Sequence, residues 1–244
     1  MYAELISQKS TLNGERFESI NYADDKMLIA ETPQKLQMMV NALNITSLKY
    51  GTKINCNKTK VMKIERKKDN RPLKIKIEGT QLEQVEWYKY LGHIVTEDGR
   101  DDPEIKVRIA MARSAFNNME RVLSDRDLHM ESRLRILNCY VWSVMRYASE
   151  CWVINKGIEA RTNAFEMWCY RRMNRIEWTD KISNEEVLQR TGVELSLLKW
   201  IRENRKKFIG SKRKNDRLFA IASSGVIVGK SPRERKRKTI LSDI

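Results

Sequence analysis

The sequence predicts an α+β chain, with short strands around one helix in the first 98 residues and helices alone after them. In the first part, apolar and polar residues alternate over short runs, as in half-buried strands. Beyond Gly99, apolar residues recur every three or four positions, as on one face of a helix. The chain has 244 residues, 41% hydrophobic and 32% charged, which is enough to bury a core in one large or two small domains.

Turn and cap residues delimit the elements of the first part. Asn13-Gly14 predicts a hairpin. Thr32-Pro33 supplies an N-cap and a first-turn proline for a helix that Gly51 ends. Strands are predicted over 27–30, 60–64, 73–77 and 88–95.

Helical periodicity predicts five helices after Gly99. Asp101-Asp102-Pro103 starts the first, and Ser183–Glu186 has the capping-box pattern that opens the fourth. The second, third and fifth helices are predicted over 131–150, 158–175 and 194–209. The fifth carries the basic residues Arg202, Arg205, Lys206 and Lys207.

Positive charge is concentrated near the C-terminus. Residues 199–238 hold 15 basic and 3 acidic residues, net +12 of the chain's net +15. This predicts sequence-independent nucleic-acid binding through Arg202, Arg205, Lys206, Lys207, Lys212, Arg213 and Lys214. A membrane is disfavoured as the partner because no large apolar face accompanies this charge. No apolar run approaches the roughly 18–20 residues needed to span a bilayer. The alternative is a solvated, disordered tail.

Cysteine and histidine usage excludes several classes of site. The four cysteines form no CxxC pair and only two histidines occur, His93 and His129, so the common zinc spacings are absent and a disulfide scaffold is disfavoured. An intracellular compartment is therefore expected. Buried core positions are expected for the cysteines Cys139, Cys151 and Cys169. Core or helix-junction positions are expected for the tryptophans Trp142, Trp152, Trp168, Trp178 and Trp200. The alternative for any one of these tryptophans is that a nucleic-acid base stacks on it.

The tetrapeptide Tyr22-Ala23-Asp24-Asp25 is the most informative motif. It lies between two predicted strands, so the carboxylates are expected at a hairpin tip, where at least one reaches a divalent ion. Phosphoryl transfer with two metal ions needs such hard oxygen ligands. The alternative is an Asp-rich turn without a ligand.

Several segments together resemble one polymerase family. After the tetrapeptide come a helix, Lys58-Thr59-Lys60-Val61 and Tyr90-Leu91-Gly92; the helical half contains Arg133–Ser143 and Ala164–Met173, followed by Trp178-Thr179-Asp180. Over about residues 12–207 the order resembles the C-terminal part of the reverse transcriptase of LINE-type (non-LTR) retrotransposons, in particular the RTE-like branch.

The resemblance implies an RNA-directed DNA polymerase that uses Mg²⁺, an RNA template and a DNA primer. It implies metal binding by Asp24 and Asp25, and a position near the nucleotide for Tyr22, Lys58 and Lys60. Tyr90, Leu91 and Gly92 correspond to a primer-holding hairpin. For Lys58 and Lys60 a solvated strand edge is the alternative, and for Tyr90 and Leu91 plain core packing.

The resemblance also implies a domain order: a partial palm of antiparallel strands and one helix over 1–98, thumb-like helices over 99–155, a basic helical region over 156–222 and a disordered basic tail over 223–244. A nuclear as well as cytoplasmic location is expected, with an import signal at 233–238.

The chain departs from the family pattern near both ends: Gly210 is followed by Ser211 where the family usually has histidine, and parts that catalysis needs are not expected before Tyr22. A working palm has a third carboxylate on an earlier strand, and a fingers subdomain, and neither is expected in the 21 residues before Tyr22. We therefore expect a fragment that is inactive alone. The alternatives are a non-catalytic nucleic-acid-binding remnant and a domesticated interaction protein.

Overall fold

The computed structural model describes residues 10–12, 15–17, 19–64 and 72–215, with side chains over 19–64 and 72–211. The described residues fall into two compact units, divided between Gly99 and Arg100. Within them, no helix combines the length and the apolar character of a bilayer crossing. The predicted tail at 223–244 and import signal at 233–238 lie outside the described residues.

Short strands and one helix build the first unit. In chain order they are β1 (Ser10–Leu12), β2 (Glu15–Phe17), β3 (Ser19–Tyr22), β4 (Asp25–Leu28), α1 (Pro33–Lys49), β5 (Lys60–Val61), β6 (Lys76–Ile77), β7 (Thr80–Gln81), β8 (Glu83–Gln84), β9 (Trp87–Tyr90) and β10 (His93–Thr96). The pairs β1–β2, β3–β4, β6–β7 and β9–β10 are antiparallel hairpins. The pair β5–β8 is parallel, which differs from the purely antiparallel set of strands expected.

Helix α1 begins and ends where its cap residues predict. The Thr32 hydroxyl oxygen accepts a hydrogen bond from the Lys35 backbone N–H at 3.3 Å, and Pro33 is the first helical residue. Just beyond the helix, Gly51 has a φ of 68°, a left-handed conformation that favours glycine. These local predictions are confirmed.

The core of the first unit forms between α1 and the segments after it. Its buried residues are Val40, Val61, Leu73, Ile75, Ile77 and Leu82. The alternation predicted over 73–77 is confirmed in burial, since Lys74 and Lys76 are exposed between buried neighbours, although the strand itself covers Lys76–Ile77.

Helices build the second unit. They are α2 (Asp102–Leu123), α3 (Met130–Ile136), a π-helical segment (Leu137–Trp142), α4 (Ser143–Arg146), α5 (Lys156–Met173), α6 (Asn184–Thr191) and α7 (Leu197–Asn215), with 3₁₀ turns at Ser149–Cys151 and Trp178–Asp180. The helix predicted over 131–150 ends at Arg146, because Tyr147 leaves the helical conformation with a ψ of 125° and Ala148 after it has a left-handed φ of 55°. Ser183 caps α6 as predicted, its hydroxyl oxygen accepting from the Glu186 backbone N–H at 3.2 Å.

One apolar core joins these helices. Phe116, Leu137, Trp152, Phe165 and Ile201 come from both sides of residue 155 and belong to the same buried cluster. The boundary predicted between 155 and 156 is therefore not a boundary in packing, because helices on both sides bury their apolar faces against each other.

Two predictions of burial are wrong, those for Cys139 and Cys151. Trp178 lies in the 3₁₀ turn between α5 and α6, a helix-junction position as predicted, and its side chain is 90% exposed. Cys139 and Cys151 are exposed, whereas Cys169 is buried. Cys139 belongs to the π-helical segment, where the wider turn changes which residues face inward.

Candidate functional site

The tetrapeptide forms the hairpin that the sequence predicts. Tyr22 pairs with Asp25 across the antiparallel β3–β4 ladder, so Ala23 and Asp24 make a two-residue connection. Ala23 has a φ of 51°, the positive value that tight hairpin turns require. An alanine there is strained, and such strain recurs at functional sites.

The carboxylates of Asp24 and Asp25 are exposed at this hairpin, next to a Tyr22 ring that is 65% exposed. Leu28, at the other end of β4, packs against the core cluster that contains Val40 of α1. One end of the hairpin is thereby held by apolar packing while the carboxylates remain accessible to a ligand.

The donor chemistry of this pair suits a hard cation, since Mg²⁺ is commonly held by one or two carboxylates together with substrate phosphates and water. Across the described residues, no group of three or more His, Cys, Asp or Glu side chains is placed to hold a metal ion. Asp24 and Asp25 thus have no third ligand of these types beside them in the described part of the chain.

The two candidate lysines have different surroundings. The Lys60 Nζ lies 2.5 Å from the Glu83 carboxylate, directly across the β5–β8 pair. Lys58 is exposed in a turn, where its backbone N–H donates to the Asn55 side-chain oxygen at 3.1 Å. Lys58 therefore offers its charge to solvent, whereas Lys60 must leave Glu83 to bind a phosphate.

The segment predicted as one strand over 88–95 is a hairpin, the shape that the resemblance implies for Tyr90-Leu91-Gly92. Leu91 and Gly92 have φ values of 48° and 79°, as in a type I′ turn, and Tyr90 pairs with His93. Cross-strand partners share a face, so this two-residue turn reverses the phase of the alternation at Leu91-Gly92. Leu91 is 37% exposed and Tyr90 half-buried.

The basic residues of α7 are not equivalent. Lys206 and Lys207 are exposed, and Arg202 is half-buried in an ion pair with Glu159 at 3.2 Å. Arg205 is fully buried and its guanidinium donates to the Trp152 carbonyl oxygen, so the prediction that it binds phosphate is wrong. The side chains of Lys212, Arg213 and Lys214 lie outside the described residues.

Periodicity carries a signal for the burial of Arg205. It lies four residues after Ile201 and four before Ile209, on the helix face that both residues bury. Because several neighbouring residues of this helix are also basic, the composition of the helix does not distinguish the buried Arg205 from them.

A second buried polar residue, Glu166, was not predicted. Its carboxylate accepts hydrogen bonds from the backbone N–H groups of Ser196 at 2.9 Å and Leu197 at 3.2 Å, and from the Tyr170 hydroxyl at 2.8 Å. Because α7 begins at Leu197, this carboxylate caps the helix that carries the exposed lysines. Burial, reinforced by the charge of Glu166, raises the pKa of the Tyr170 hydroxyl.

The chain is similar to a transposon-derived protein. No protein-family model matches the chain, and no solved structure matches it. The chain is 30% identical over 174 residues to an uncharacterised transposon-derived protein of Caenorhabditis elegans, a match that covers 70% of this chain and 61% of the relative. This similarity indicates a transposon origin. The chain spans less than two thirds of the relative's length.

Proposed function

We propose that this chain is the C-terminal part of the reverse transcriptase of a LINE-type retrotransposon. It contributes a metal-binding carboxylate pair and a helical nucleic-acid-binding unit to RNA-directed DNA synthesis. The observation that carries the proposal is the exposed hairpin that holds Asp24 and Asp25 beside Tyr22. The similarity to a transposon-derived protein supports the same origin.

In this reaction the primer 3′-oxygen bonds to the α-phosphorus of a deoxynucleoside triphosphate, the bond to pyrophosphate breaks, and the hydroxyl proton leaves to solvent. Asp24 and Asp25 would hold Mg²⁺, whose chemistry there is neutralisation of charge on the phosphate oxygens. The exposed ammonium of Lys58 suits an incoming triphosphate. The proposal requires a further carboxylate from a preceding segment of the polymerase.

Complementation tests this proposal. The chain is co-purified with the part of a LINE-type polymerase that precedes its own Tyr-Ala-Asp-Asp strand, and RNA-templated nucleotide incorporation is measured with Mg²⁺. We expect incorporation that Asp24→Asn with Asp25→Asn abolishes and that the control Glu203→Gln leaves unchanged, because Glu203 is an exposed carboxylate on α7. Incorporation equal in the double variant and the control would refute the assignment.

A second function, nucleic-acid binding without catalysis, is favoured by the exposed Lys206 and Lys207 of α7 and by the net +12 of residues 199–238. A protein with this function alone would be a non-catalytic remnant of the retrotransposon or a domesticated protein. Contact with about 5 phosphates would give a log–log salt slope near −4 to −5 on duplex. Affinity that does not change with salt would show that the charge only solvates the chain.

A further inference from the structure

Ser211 lies in a run of basic residues near the end of α7. Residues 205–214 contain six lysines and arginines and no acidic residue. The side chain of Ser211 is exposed. By contrast, the exposed Ser183 is followed by Glu185 and Glu186. Ser211 therefore presents a hydroxyl group to solvent in strongly basic surroundings.

The residue before it is a glycine that the packing of α7 does not require. Gly210 is helical and exposed, and a Cβ atom built on it would meet no heavy atom of the described residues within 4 Å. An alanine would fit there and would favour the helix more strongly. Because α7 ends at Asn215, only a few residues later, the glycine makes the last turn open more readily around Ser211.

A phosphate on Ser211 would lie beside a cation that we assign to nucleic-acid binding. The exposed Lys207 precedes Ser211 by four positions on α7, and side chains at this spacing are neighbours, with Cβ atoms about 5–6 Å apart. A phosphoserine carries a charge of about −1.5 to −2 at pH 7 and accepts charge-assisted hydrogen bonds from an ammonium group. The phosphate would therefore compete with nucleic acid for Lys207 and repel the nucleic-acid backbone.

We propose that Ser211 is phosphorylated by a serine kinase that recognises basic residues, and that the phosphate weakens nucleic-acid binding by α7. The regulatory part of this inference rests on the proposed nucleic-acid binding through Lys206 and Lys207. Charge complementarity with residues 205–214 favours a kinase whose substrate cleft is acidic. The hydroxyl must enter that cleft to reach ATP, and opening of the last turn at Gly210 allows this.

Phosphorylation uses only the hydroxyl group of this chain. The Ser211 Oγ bonds to the γ-phosphorus of ATP, and the bond from that phosphorus to the β-phosphate oxygen breaks. ADP leaves, and the hydroxyl proton passes to the catalytic carboxylate of the kinase. The rate at Ser211 therefore depends on the charge around the serine and on how readily the last turn of α7 opens.

The first test incubates the full chain with ATP, Mg²⁺ and the catalytic domain of protein kinase C, a kinase that prefers basic residues around its serine, and maps phosphate by peptide mass spectrometry. We expect phosphate on Ser211 and none on Ser183, whose acidic neighbours an acidic cleft repels. Gly210→Ala should slow modification of Ser211 up to about fivefold. Modification elsewhere with Ser211 untouched would overturn the site, and equal rates in Gly210→Ala and wild type would overturn the role of the glycine.

The second test measures binding of the full chain to a short fluorescein-labelled DNA duplex between about 50 and 200 mM salt. We expect phosphorylation to make the log–log salt slope shallower by about 1.8, the value for two lost phosphate contacts, and Ser211→Glu to make it shallower by about 0.9. The matched control Ser132→Glu adds the same charge at an exposed serine of α3 and should change the slope less. The Ser211→Ala chain, treated with the kinase in the same way, should keep the unmodified slope.

Two further results separate the inference from the proposed function. If Lys206→Gln with Lys207→Gln lowers the slope while phosphorylated Ser211 leaves it unchanged, the regulatory inference is wrong and nucleic-acid binding stands. If the affinity of the unmodified chain does not depend on salt, nucleic-acid binding itself fails, and the regulation fails with it even where Ser211 is phosphorylated.

Discussion

Replacing Glu166 with glutamine perturbs the polar contact that holds the start of α7. The substitution keeps the shape but removes the charge, and its N–H₂ group replaces the second carboxylate oxygen, which also accepts from the Leu197 backbone N–H at 3.2 Å. The carboxylate accepts two backbone N–H groups and the Tyr170 hydroxyl, and hydrogen bonds to a charged group contribute about 1.5–3 kcal/mol each. Since the amide oxygen of glutamine retains part of this hydrogen-bond energy, we expect Glu166→Gln to lower the free energy of unfolding by about 3 kcal/mol.

Urea unfolding followed by tryptophan fluorescence measures this loss, because five of the six tryptophans lie in residues 100–215. Glu131→Gln is the matched control. It also removes one glutamate charge, but its ion pair with Arg135 is exposed, with side chains 78% and 77% accessible. We expect the control to change the free energy of unfolding by less than about 0.5 kcal/mol.

The reasoning would be refuted if Glu166→Gln lost less than about 1 kcal/mol relative to the control. The apolar packing of Leu197 and Ile201 would then be sufficient to hold α7. As an internal check, Tyr170→Phe removes one hydrogen bond to the same carboxylate and should lose about 1–2 kcal/mol.

Three further predictions follow from local geometry. Ala23→Gly relieves the backbone strain of an alanine in the left-handed conformation. It should slow hydrogen exchange of the β3–β4 amides about fivefold, which corresponds to a stabilisation of about 1 kcal/mol. Faster exchange in the variant would contradict the strain. Trp178→Ser removes a side chain that is 90% exposed and should change the free energy of unfolding by less than about 0.5 kcal/mol, whereas Trp152→Ala opens the core and should cost about 3–5 kcal/mol in the same urea titration. Burial raises the pKa of the Cys169 thiol. At about pH 8 a thiol reagent should therefore label the exposed Cys139 in the native protein and Cys169 only after unfolding. Labelling of Cys169 in the native protein would show that the core opens.

Elements that depend on neighbours in sequence were predictable. The start of α1 at Thr32-Pro33, the cap of α6 at Ser183 and the tight turn at Ala23-Asp24 all follow from residues within four positions of each other. Such caps and turns are governed by local hydrogen bonds and allowed φ values, so they do not depend on the rest of the fold. The sequence by itself therefore determined where these elements start or turn, the exposed carboxylate pair and the excess of basic charge.

Which charges remain available was decided by the tertiary structure. Arg205 and Lys206 are adjacent in a basic helix, but Arg205 is buried because it faces the Trp152 carbonyl, 53 residues earlier in the chain. Glu120 is neutralised by Arg172, which α5 brings alongside, while Arg121 remains exposed. Whether a charge is compensated or remains exposed to solvent depends on which groups the packing places beside it. Those groups are distant in sequence.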